Sequence, residues 1–121
     1  MTKKILTVDD SRTMRDMLKH ALCDAGYEVV QAEDGVEGLE ALEREGADVV
    51  ITDINMPRLD GFGLIEGIRA NPVYRGLPIL VLTTESSGEK KVRAKEAGAT
   101  GWIIKPFDPI KLIDVVRRVS G

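Results

Sequence analysis

Five short apolar runs separated by segments of helical period constrain this chain more than any other feature. The runs are Lys4–Val8 (KILTV), Tyr27–Ala32 (YEVVQA), Asp48–Thr52 (DVVIT), Pro78–Thr83 (PILVLT) and Gly101–Ile104 (GWII). Each is too short for a helix, and each is too uniformly apolar for a strand with one wet face. Between them apolar residues recur every three or four positions. Met14, Leu18, Ala21, Leu22 and Ala25 share one face of a first helix, which Gly26 closes. Val36, Leu39 and Leu42 mark a second, running from after Asp34 to before Gly46. Asp60 or Gly61 opens a third, and Asn71-Pro72 closes it. Ser87 or Gly88 to Ala97 is a fourth, ended by Gly98. Asp108-Pro109 supplies an N-cap and a proline at the first helical position, opening a fifth helix through Ile110, Ile113, Val116 and Val119.

Strict alternation of strand and helix means parallel strands, right-handed crossovers and helices on both faces of one sheet. The connections are short and no Ser/Gly-rich linker interrupts them, so residues 1–121 read as a single α/β domain. The fourth helix differs from the rest. Its only branched apolar residue is Val92, supported by Ala94 and Ala97, among Glu89, Lys90, Lys91, Arg93, Lys95 and Glu96. So little apolar area predicts one of the least firmly docked elements.

A net charge of −3 argues against nucleic acid or an anionic membrane surface as partner. No apolar run approaches twenty residues and no signal-peptide pattern opens the chain. The single Cys23 cannot form an internal disulfide, which fits a reducing cytoplasm.

In open parallel sheets, ligands bind outside the carboxyl ends of the strands, where strand order reverses. Those ends carry Asp9-Asp10 after the first run, Glu33-Asp34 after the second and Asp53 after the third. Thr83-Thr84-Glu85 follows the fourth and Lys105-Pro106 the fifth. Singly, each has a plainer reading: helix cap for Asp9-Asp10, turn residue for Asp53, strand-end filler for Thr83, solvated cation for Lys105. Together they are complementary, provided that the first and third strands are neighbours. Three carboxylates within a few ångströms repel one another by on the order of several kcal/mol per pair. A proton or a divalent cation relieves this. Oxygen ligands favour Mg²⁺ or Mn²⁺, since the lone His20 and lone Cys23 cannot build a soft site. Acid, metal, the Lys105 ammonium and the Thr83 hydroxyl then form a phosphoryl-transfer set, with a carboxylate as nucleophile and an acyl phosphate as product.

Four motifs extend this reading: VDDS (Val8–Ser11), DINMPRLDG (Asp53–Gly61), LTT (Leu82–Thr84) and KPF (Lys105–Phe107). In this order, and with roughly this spacing, they resemble the receiver domains of two-component response regulators, over Lys4 to about Val119. The stand-alone, CheY-like chemotaxis regulators are the nearest type. The resemblance implies a flavodoxin-like (βα)5 sheet of order 2-1-3-4-5, which makes the first and third strands neighbours. It implies Asp53 as acceptor of a phosphoryl group from a CheA-like histidine kinase. It implies Mg²⁺ held by Asp10, Asp53 and the backbone carbonyl of Asn55, with Asp9 acting mainly through water. Thr83 and Lys105 would contact the phosphoryl oxygens, and the Lys105–Pro106 bond is a candidate for cis. Asn55 and Glu85 stand where the family tunes the acyl phosphate's lifetime, which points to a short-lived signal and a separate phosphatase.

Trp102 departs from the pattern, standing where the family usually has Tyr, Phe or His. It is expected on the output surface rather than in the core, because Ile103 faces the other way. Lys90, Lys91 and Lys95, with Arg93, Lys111 and Arg117, make that side basic and suggest an acidic partner segment. The expected role is a cytoplasmic messenger, without an output domain, acting on a flagellar switch protein. A phosphorelay intermediate or phosphate sink is the alternative. The phosphorylation is self-catalysed, so the chain is not expected to be an enzyme with turnover. A phosphatase of the haloacid dehalogenase type would need a second carboxylate at position 55, where Asn55 stands, and a cap domain. No GxGxxG, Walker lysine loop or flavin phosphate loop occurs, so a nucleotide cofactor is not supported. His20 and Cys23 fall off the apolar stripe of their helix, and the Gly63/Gly67 pair means close packing at most.

Overall fold

The computed structural model describes residues 2–121 and contains five strands and five α-helices in alternation. These are β1 (Lys4–Val8), α1 (Arg12–Asp24), β2 (Glu28–Ala32), α2 (Gly35–Glu45), β3 (Val49–Thr52), α3 (Gly61–Arg69), β4 (Ile79–Thr83), α4 (Gly88–Ala97), β5 (Gly101–Ile104) and α5 (Pro109–Val119). All strand pairs are parallel and the order is β2-β1-β3-β4-β5. This is the flavodoxin-like arrangement, in one domain, with the order reversing between β1 and β3. No helix is long and apolar enough to cross a membrane among the described residues.

Period-two alternation splits the core into two layers. Leu6, Val8 and Val50 face one side, with Phe62, Leu64, Ile65 and Ile68 of α3 and Ala94 of α4. Ile5, Val49, Ile51, Leu80 and Leu82 face the other, with Leu18 and Leu22 of α1 and Leu112 and Val116 of α5. Strands β3 and β4 are buried throughout and β1 nearly so, as uniformly apolar runs demand. The expectation does not hold for β2 and β5, most of whose residues are half-buried. They are the two edges of the sheet, and an edge strand has a ladder neighbour on one side only.

Local chemistry sets the helix starts. Ser11, Asp34, Asp60, Ser87 and Asp108 each accept a backbone N–H of the first turn that follows. Ser11 caps α1, so neither Asp9 nor Asp10 is used up as a cap. Asn71-Pro72 ends α3 as expected but also opens a 3-10 turn, Pro72–Tyr74, which period and spacing did not reveal. Helix α1 ends at Asp24 with Ala25 as its C-cap; Gly26 follows with φ +92°.

Helix α4 is thinly seated, though not through the residue that the sequence points to. Val92 is 56% exposed and Ala94 is the buried residue. Two arginines compensate. The Arg93 guanidinium lies 4.0 Å from the centroid of the Phe62 ring. The Arg69 guanidinium donates to the Gly98 carbonyl from Nε at 3.0 Å and from a terminal nitrogen at 2.9 Å. Gly98 has φ +116°, and a Cβ there would stand 2.7 Å from the Arg69 side chain, so only glycine fits this C-cap.

Candidate functional site

The pairing of β1 with β3 brings the acids together. Val8 is in register with Thr52, so Asp9 and Asp53 each leave the sheet one residue later. The Asp53 amide donates to the Val8 carbonyl at 3.0 Å, extending the ladder to the site itself. Carboxylate oxygens of Asp9, Asp10 and Asp53 all lie within 4.8 Å of one another. Asp9 is buried, Asp53 is 8% exposed and Asp10 is exposed.

The β4–β5 register pairs Thr83 with Ile104, and Lys105 is the next residue along. Its amide donates to the Thr83 carbonyl at 2.8 Å, and the Lys105–Pro106 bond is cis. Lys105 Nζ donates to Asp53 Oδ2 at 2.8 Å and to Asp9 Oδ2 at 2.9 Å. Burial works against the ammonium, but the hydrogen bonds to Asp53 and Asp9 outweigh it and hold the Lys105 pKa above its ordinary value. Burial pushes the Asp9 carboxyl up, against the pull of Lys105 and the Ser11 amide. Asp53 Oδ1 accepts from the Ile54 amide at 2.6 Å. Both oxygens of Asp9 are engaged by protein donors, Oδ1 by the Ser11 amide at 2.9 Å.

Thr83 is fully buried at the end of β4, its hydroxyl accepting from the Glu85 amide at 3.3 Å. Asn55 is exposed, and its side-chain amide donates to Glu85 Oε1 at 3.3 Å. Lys90 Nζ meets that same oxygen at 3.0 Å, so Lys90 turns towards the mouth of the site. Lys91 and Lys95 are exposed and line a groove of about 200 Å³ with Ala94, Ala99, Thr100 and the half-buried Trp102. The indole packs against the α3-side core, and Ile103 points into the opposite layer. His20 and Cys23 are exposed on α1.

Three supporting contacts escaped sequence reading. Asp34 stays out of the acid cluster: it caps α2 and takes a fork from Arg58, at 2.8 Å from Nε and 3.1 Å from a terminal nitrogen. Arg58 itself holds φ +63°. The Arg15 guanidinium donates to the Asp9 carbonyl at 2.7 Å. A Cβ on Gly61 would lie 2.2 Å from the Asp53 carbonyl, so the loop closes over the acid only because that position is glycine. Residue type and spacing show that Gly61 follows a helix cap; they do not show what its α-carbon presses against.

The donor set itself is hard and oxygen-only, and the single Lys105 ammonium, on Asp9 and Asp53, cannot balance three carboxylates. That fits a small divalent ion such as Mg²⁺. The family model of the response regulator receiver domain matches residues 5–117. This chain belongs to that family. Chemotaxis protein CheY1 of Helicobacter pylori is 41% identical over 120 residues, covering 98% of this chain and 97% of its own. A CheY homolog of Campylobacter jejuni is 40% identical, covering 98% and 92%. Among solved structures, the chemotaxis response regulator CheY4 of Vibrio cholerae is 47% identical, with a TM-score of 0.92 and coverage of 98% and 99%. The receiver domain of a Pseudomonas aeruginosa sensor histidine kinase is 28% identical, with a TM-score of 0.92 and coverage of 100% and 99%; that structure has a magnesium ion coordinated in its active-site cleft. Receiver domains are signalling proteins rather than classical enzymes. They bind Mg²⁺ at an acidic site, take phosphate from histidine kinases and act on targets.

Proposed function

We propose that residues 1–121 form a cytoplasmic phosphoacceptor of a chemotaxis pathway, in which Asp53 receives a phosphoryl group from a CheA-like kinase. The observation that carries this is the Asp53 carboxylate at the end of a rigid buried strand, gripped by Lys105 and facing Asp9 and Asp10. An Asp53 carboxylate oxygen forms the new bond to phosphorus while the bond to the donor's nitrogen breaks, giving an acyl phosphate. Lys105 is already within hydrogen-bond reach of Asp53 and offsets charge on the transferred oxygens. The Thr83 hydroxyl, buried beside it, takes another phosphoryl oxygen. Asp10, Asp53 and the Asn55 carbonyl would hold Mg²⁺, with Mn²⁺ as substitute, and Asp9 would act through water. Bound there, the ion offsets repulsion between carboxylate and phosphoryl group. Asn55 is an amide donating to Glu85, which cannot serve as the acid/base of a dehalogenase-type phosphatase.

The output surface is read as the groove of Trp102, Lys91 and Lys95, which suits an acidic segment of a flagellar switch protein or phosphatase. Intact mass after incubation with Mg²⁺ and acetyl phosphate tests the acceptor role. One phosphoryl group is expected on wild type and none on Asp53→Asn or without metal. An adduct that survives Asp53→Asn would sink the assignment. The single tryptophan's fluorescence should change with the adduct, and Trp102→Ala should weaken target binding while leaving phosphorylation intact.

A further inference from the structure

We propose that Lys90, in the first turn of α4, is a positioning residue: it holds Glu85 against Asn55 across the mouth of the Asp53 site, so that the seating of α4 sets how readily water reaches a phosphoryl group on Asp53. The inference rests on the reading of Asp53 as phosphoacceptor. Asn55 lies two residues beyond Asp53, in the loop before α3. Glu85 lies two beyond Thr83, in the loop before α4, anchored by its amide on the Thr83 hydroxyl. The Asn55–Glu85 hydrogen bond therefore joins the two loops that flank the acid, and Lys90 secures the same carboxylate oxygen at the shorter distance, 3.0 against 3.3 Å.

Electrostatics agree with the geometry. The Glu85 carboxyl is held below its ordinary range by Lys90 first and Asn55 second, against desolvation and, as the smallest cause, the nearby charge of Asp53. A phosphoryl group on Asp53 adds negative charge and pushes harder on Glu85. Without Lys90, only one long amide bond opposes that push. A pair this exposed contributes little to stability, so its consequence is one of placement. The first turn that carries Lys90 is the thinly held end of α4: the buried Ala94 and the Arg69 anchor at Gly98 lie further along the helix, and the Ser87 cap bond to the Lys90 amide is 3.5 Å. A shift of that first turn, such as a partner on the adjoining groove would impose, takes Lys90 away from Glu85. A pinned carboxylate narrows the approach of water; a released one opens it.

The test is the rate at which the phosphoryl group is lost after acetyl phosphate is removed, followed by intact mass in Mg²⁺. Lys90→Met should lose it several-fold faster than wild type, and Glu85→Ala should do the same. The double variant should be no faster than either single one, because each removes the same bridge. Lys90→Arg should restore the wild-type rate, and thermal midpoints should agree across the set. Unchanged loss in Lys90→Met, or effects that multiply in the double variant, would overturn the inference while leaving the acceptor reading in place. No adduct on wild type would overturn both.

Discussion

At Gly61 the space for a side chain is already occupied. A Cβ would fall 2.2 Å from the Asp53 carbonyl and 2.8 Å from the Ile54 α-carbon, and backbone cannot step aside as a flexible side chain can. Gly61→Ala should therefore cost about 1–3 kcal/mol or more in denaturant unfolding. It should also slow phosphoryl uptake from acetyl phosphate, since the displaced peptide is that of the acceptor. Wild-type uptake in a destabilised Gly61→Ala would show that the loop can shift without moving Asp53. Asp53, Thr83 and Lys105 were legible in the sequence because each ends an apolar run with a group suited to phosphoryl transfer. Arg15 and Arg58 were not. Their targets, the Asp9 carbonyl and the Asp34 carboxylate, lie in other elements, and a surface-compatible arginine carries no mark of what it reaches.

Among the elements, the corner between β2 and α2 is tied to the loop after β3 by the Arg58 fork on Asp34 and by the Gly35 amide on the Leu59 carbonyl at 2.9 Å. The hydrogen bond from Arg58 is the main cause holding the Asp34 carboxyl below its ordinary value of 3.8. A carboxyl lowered in the fold adds stability that is complete above that ordinary value and disappears as pH falls through the folded one. Denaturant unfolding of Arg58→Ala should thus show a deficit against wild type that is constant near neutral pH and shrinks below about pH 4. A deficit that stays constant into strong acid would assign it to the backbone at φ +63° rather than to the pair. Helix α4 shows the limit of reading at this scale. Its poor apolar content was visible in the sequence, but Val92 looked like the anchor and Ala94 proved to be the buried residue. A helix with one branched residue has no periodic stripe to set its rotation, so Arg69 and Arg93, reaching from and to α3, decide it.

For the whole molecule, the sheet separates two apolar layers that share no side chains. Ile5 lies in one and Ile65 in the other, and both are fully buried. Ile5→Val and Ile65→Val should each cost about 0.5–1.5 kcal/mol. Measured by denaturant unfolding, the double variant should equal the sum to within about 0.5 kcal/mol. A larger departure would mean that the strands transmit packing strain from one layer to the other. The sequence by itself determined the five strands and five α-helices, the Asp108-Pro109 start of α5 and the chemistry waiting at each strand end, because these depend on period, side-chain hydrogen bonds to adjacent amides and proline geometry, all local; the Ser11 cap and the 3-10 turn at Pro72–Tyr74 were not read from it. Only the tertiary structure decided that Lys105 sits between Asp9 and Asp53 and that Lys90 turns to Glu85, and it placed β1 between β2 and β3. The resemblance to receiver domains supplied the strand order; the residues of the runs did not. Parallel strands buried on both faces are composed alike, and their ladder partners are backbone groups distant in the chain, so nothing in a strand's own residues names its neighbour.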